Sequence, residues 1–76
     1  MLEDINERVF LLAIYKKESD ESLKDVAMKM EESRVFSLKD GKKYLKEFKK
    51  LGLIVDNELS MVGIEKAKEV ELEFKL

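Results

Sequence analysis

The chain has 76 residues, of which 45% are hydrophobic and 42% charged, and its formal net charge is −2. That is enough apolar material for one small core and too little chain for two, and it is not the composition of a disordered segment. There is no His, Cys or Trp, which excludes a disulfide scaffold, a thiolate or imidazole metal site and the usual nucleophilic triads.

Other chemistries are excluded on similar grounds. The glycines, Gly41, Gly52 and Gly63, stand 11 residues apart, so no phosphate-cradling loop is present. Asp and Glu occur throughout, and no pair is set apart by its context. Neither an enzyme nor a cofactor site is expected. Met1–Asp4 is acidic, and the longest apolar run, Val9–Tyr15, covers seven residues against the roughly 20 that a span needs. A soluble, cytoplasmic protein without a membrane partner is the expectation, and no small-molecule effector is evident.

In chain order, Ile5–Tyr15 reads as a broad apolar helix carrying Ile5, Val9, Phe10, Leu12, Ala13 and Tyr15, followed by polar Lys16–Glu21. Next comes a repeat: Ser22-Leu23-Lys24-Asp25 recurs fifteen positions later as Ser37-Leu38-Lys39-Asp40. Ser-x-x-Asp before an apolar periodic run is a helix start. The hydroxyl accepts an orphan N–H, and the acid suits the positive end of the helix dipole. Leu23, Val26, Ala27 and Met30 then share one helical face, as do Leu38, Tyr44, Leu45, Phe48 and Leu51. Both copies read as caps, and the segment between them, Glu31–Phe36, reads as the turn of a helix-turn-helix with Val35 and Phe36 as its apolar plug.

Gly52 ends the third helix in the left-handed conformation. Leu53–Val55 reads as a short strand, Asp56-Asn57 as a turn and Glu58–Leu59 as the returning strand. Ser60 is placed to cap a last helix with Gly63, Ile64, Ala67, Val70 and Phe74 on one face. The tail is open to two readings. Val70–Leu76 also alternates apolar and polar residues as a strand does, while the helical period and the Ala and Glu content favour helix.

The fold class expected is mainly α with a small β-hairpin, in the order α-α-α-β-β-α, as one domain over 1–76. This order resembles the winged helix-turn-helix family of DNA-binding domains along nearly the whole chain. The resemblance is carried by Ser22-Leu23-Lys24-Asp25-Val26-Ala27, by Tyr44–Ile54 leading into the hairpin, and by Leu59-Ser60-Met61-Val62-Gly63. The last stretch is similar to the Leu-Ser/Thr-x-x-Gly that follows the wing in PadR-like and MarR-like regulators. The resemblance implies a third helix in the major groove of double-stranded DNA and a hairpin wing on its backbone.

The charge distribution points the same way independently. Residues 1–33 carry net −4, residues 34–50 net +5 and residues 51–76 net −3. At about 100° per residue, Lys39, Lys42, Lys43, Lys46, Lys49 and Lys50 fall within an arc of about 120° on the third helix. Leu38, Gly41, Tyr44, Leu45, Phe48 and Leu51 fill the opposite side, with Asp40 and Glu47 between. Such a stripe attracts phosphates, whereas a merely solvated face usually mixes signs.

The expected DNA-binding residues are Arg34, Lys39, Lys42, Lys43 and Lys46, with Lys50 peripheral. Asp40 is expected to cap rather than to accept from a cytosine. Asp56, Asn57 and Glu58 give the wing no cation. Gly41 on the apolar face implies a close approach of the second helix near Ala27. Met28 falls outside the core face. Met61, Leu72 and Leu76 form a second apolar stripe on the last helix, which implies a homodimer. The competing reading is a protein-interaction module in which the lysines only solubilise.

Overall fold

A computed structural model describes residues 4–75. Within them run α1 (Ile5–Tyr15), α2 (Leu23–Glu32), α3 (Leu38–Lys50), β1 (Ile54–Val55), β2 (Glu58–Leu59) and α4 (Met61–Lys75). The fold is mainly helical with one antiparallel hairpin, in the expected order. The tail is helix through Lys75, so the strand reading of the last residues falls.

Each helix begins on a side-chain cap. The Asp4 carboxylate accepts the Asn6 N–H at 2.9 Å to open α1. At α2 the repeat makes a full capping box: Ser22 Oγ accepts the Asp25 N–H at 3.1 Å, and Asp25 Oδ2 accepts the Ser22 N–H at 3.0 Å. At α4 the Gly63 N–H donates to Ser60 Oγ at 3.1 Å.

The core gathers around four aromatic rings. Phe10 of α1 lies 5.0 Å from Phe36 and 5.8 Å from Phe48 between centroids, and Phe36 meets Tyr44 edge-on at 5.1 Å. Such offset and tilted pairs add to the burial of the rings themselves. Leu11, Ile14, Leu53 and Ala67 close around them. Phe36 is the plug anticipated at the turn; Val35 beside it is half-buried.

Two glycines mark close approaches. A Cβ on Gly41 would stand 3.2 Å from the Ala27 Cβ and 3.0 Å from the Phe36 ring, which explains a glycine inside a helix. A Cβ on Gly63 would fall 2.1 Å from the Leu53 carbonyl oxygen, so α4 crosses the base of the hairpin backbone to backbone.

The apolar side of α4 is shorter than its period suggests. Ala67 and Val70 are buried, but Phe74 is 43% exposed. The apolar layer covering Val70 does not extend one turn further. There the helix is held to α1 by surface ion pairs, Arg8 with Glu73 at 3.4 Å and Lys16 with Glu71.

Candidate nucleic-acid interface

Helix α3 is fixed at both ends and from behind. At its start Ser37 Oγ accepts the Asp40 N–H at 3.2 Å, but Asp40 does not return the bond as Asp25 does. The second copy of the repeat therefore carries only half of the box. A carboxylate from the preceding helix serves a different donor of the same turn, with Glu31 Oε2 accepting the Leu38 N–H at 2.7 Å. At the far end the Leu53 N–H donates to the Phe48 carbonyl at 2.9 Å and the Gly52 N–H to that of Lys49 at 3.1 Å. With Gly52 at φ 76° this is a Schellman closure. Because its N–H is committed to the helix end, Leu53 precedes the strand rather than opening it.

Behind the helix, buried Tyr44 donates its hydroxyl to Asp4 Oδ2 at 3.3 Å, tying α3 to the start of α1. Burial pushes the Tyr44 phenol above its ordinary range, so it stays a donor at neutral pH.

The outer face is all charge. Lys39, Lys42, Lys43, Lys46, Lys49 and Lys50 are all exposed, and so are Asp40 and Glu47. The ion pairs among the described residues engage Arg8, Lys16, Lys29 and Lys66, and no lysine of α3. Lys49 and Lys50 occupy the last turn, where the helix dipole favours cations. From Lys39 to Lys50 the stripe runs about 16 Å at 1.5 Å per residue.

Arg34 lies in the turn at φ 60°, exposed. Its N–H donates to the Glu31 carbonyl at 3.0 Å and that of Val35 to Met30 at 2.9 Å, the same Schellman pattern that ends α3. A left-handed arginine stands where glycine costs nothing. The sequence did not show this, because no turn residue marks the position.

The hairpin is minimal. Val55 pairs with Glu58 and Ile54 with Leu59 around Asp56 at φ 52° and Asn57 at φ 64°, a type I′ turn. Asp56, Asn57 and Glu58 are exposed, so the hairpin tip presents carboxylates and an amide.

Of the stripe assigned to dimerisation, Met61 is 81% and Leu72 64% exposed. They share one side of α4 but stand about 16 Å apart along it, with exposed Glu65, Lys68 and Glu69 between them. Leu76 lies outside the described residues. The exposed apolar side chains thus do not join into one seam. Met28 is exposed, as its position off the core face implied.

Among the described residues no helix is long and apolar enough to cross a membrane. Comparison of the chain with protein-family models, with curated proteins and with solved structures finds no match.

Proposed function

We propose that this protein is a winged-helix DNA-binding protein that lays the lysine face of α3 on duplex DNA and regulates transcription in the cytoplasm. The observation that carries the reading is the set of six exposed lysines on one side of α3, none held in an ion pair among the described residues. Ammonium groups without a protein partner release counterions from phosphate when they bind. Arg34, on the same turn-and-helix unit, adds a fork-shaped donor suited to a phosphate. Helix α3 with its side chains is about 10–12 Å across, and a major groove about 12 Å wide admits it.

The test is an anisotropy titration of a labelled random duplex at about 50 mM salt, repeated at rising salt. Binding that weakens steeply with salt supports the reading, and no binding at the lowest salt removes it. The acidic wing and the exposed Met61 and Leu72 favour the second reading, a surface for a protein partner.

A homodimer belongs to the first reading, because two α3 helices one DNA turn apart would reinforce contacts that are weak singly. Sedimentation equilibrium of the full chain and of a Met61→Lys/Leu72→Lys variant tests it. A wild-type chain that stays monomeric at high micromolar concentration rules it out.

A further inference from the structure

Resting on that reading, we infer that the α3 face takes double-stranded DNA of any sequence. Its ligand is the phosphate backbone, and the protein occupies duplex in proportion to its concentration rather than at one operator.

The exposed side of α3 presents Lys39, Lys42, Lys43, Lys46, Lys49 and Lys50, with Asp40 and Glu47 at one margin. Reading an adenine requires the paired donor and acceptor of Asn or Gln, and reading a thymine methyl requires an apolar tip. The outer face of α3 has neither. Its apolar side chains, Leu38, Tyr44, Leu45 and Phe48, are turned into the protein. A lysine can donate to guanine O6 and N7, so the residual preference runs toward G·C pairs. Being a flexible point charge, it reaches phosphate equally well and fixes no register.

The remaining contacts do not supply what α3 lacks. The hairpin tip carries Asp56 and Glu58, whose carboxylates repel phosphate and so keep the exposed Asn57 amide between them away from the duplex. Arg34 lies in the turn before α3, beside the groove-facing helix rather than on it. Recognition is thus concentrated in seven cations, Arg34 and the six lysines. If all seven met phosphates, the slope of log K against log salt would reach about −6, at about 0.9 per phosphate neutralised.

The experiment titrates the full chain against equal-length duplexes of all-A·T, all-G·C and random mixed sequence, with poly-glutamate as a polyanion without phosphate. The expected result is a set of duplex affinities within tenfold of one another, a slope no steeper than about −6, and weaker binding to poly-glutamate. One duplex bound more than tenfold over the others overturns the inference while leaving DNA binding intact. So does a random-pool selection that converges on a motif, since operator binding usually exceeds non-specific binding by about 10³-fold or more. Failure to bind any duplex at about 50 mM salt overturns the inference and the proposed function together, as does binding to poly-glutamate as tight as to DNA.

Discussion

The Glu31 carboxylate accepts the Leu38 N–H at 2.7 Å, so the last turn of α2 holds the first turn of α3. The first N–H groups of a helix have no partner within it, and a charged acceptor is the strongest kind available to them. Glu31→Ala should lower stability by about 1 kcal/mol, the scale of one exposed hydrogen bond. Glu31→Gln should keep most of that, because the amide oxygen still accepts. Urea midpoints at constant m-value report both.

The two copies of the repeat should respond differently. Ser22→Ala breaks a reciprocal box and should cost about 1 kcal/mol, within the usual range of about 0.5–2 kcal/mol for caps. Ser37→Ala should fall at the low end of that range, because Glu31 also serves the first turn of α3. Combined with Glu31→Ala it should cost more than the sum of the two single changes, since both serve one helix end. Equal losses for the two serines, with strict additivity, would contradict the asymmetry.

Acid should weaken the fold through α2. The Ser22 N–H and hydroxyl hold the Asp25 carboxyl below its usual range, and the Lys29 ammonium does the same for Glu21. A carboxyl whose folded pKa is depressed stabilises the fold above its unfolded value, about 4, and that contribution disappears as pH falls through the folded value. Thermal midpoints should therefore decline below about pH 4, and Asp25→Asn should flatten the decline. An acid limb identical in that variant would remove Asp25 from the account.

Charge reversal of the stripe separates folding from binding. Lys42→Glu, Lys43→Glu and Lys46→Glu together exchange three exposed cations that make no ion pair among the described residues, so far-UV circular dichroism should be unchanged. Duplex binding should be lost at about 150 mM salt, since three of the proposed phosphate contacts become repulsions. Retained binding would move the interface off α3.

Arg34 should oppose stability to affinity. Arg34→Gly removes a left-handed non-glycine residue and should raise stability by about 1 kcal/mol. The same change deletes one cation and should reduce the magnitude of the salt slope by about 1. A glycine variant that is no more stable would show that φ 60° costs this arginine no more than the extra unfolded-chain entropy of glycine.

The elements were legible in the sequence because their signals are local. Serines at 22, 37 and 60, Gly52, and Asp56-Asn57 each act within a few residues of their own position, and the helix limits follow from them. The lysine stripe was legible because a helix converts spacing directly into direction. What escaped was set by partners distant in the chain or by tertiary packing. Glu31 looks like any solvated carboxylate until α2 turns back on α3, and Phe74 fits the helical period that buries Val70 while standing one turn beyond the covering layer. Met61 and Leu72 share a helical side in projection, but a projection hides the distance between them.

The Ser60 hydroxyl donates to the Gly52 carbonyl at 2.6 Å while accepting the Gly63 N–H, and the Ser60 N–H donates to the Leu53 carbonyl at 2.9 Å. The stem of the hairpin is therefore clasped independently of its tip. Chain inserted between Asp56 and Asn57 changes only the closure entropy of a loop whose ends are already joined, about 0.6 kcal/mol for each doubling of length. The hairpin can then lengthen or change sign over evolutionary or engineered time without disturbing α3 or α4. A scaffold with six exposed lysines gathered on one helix has a second arm that is free to be rewritten.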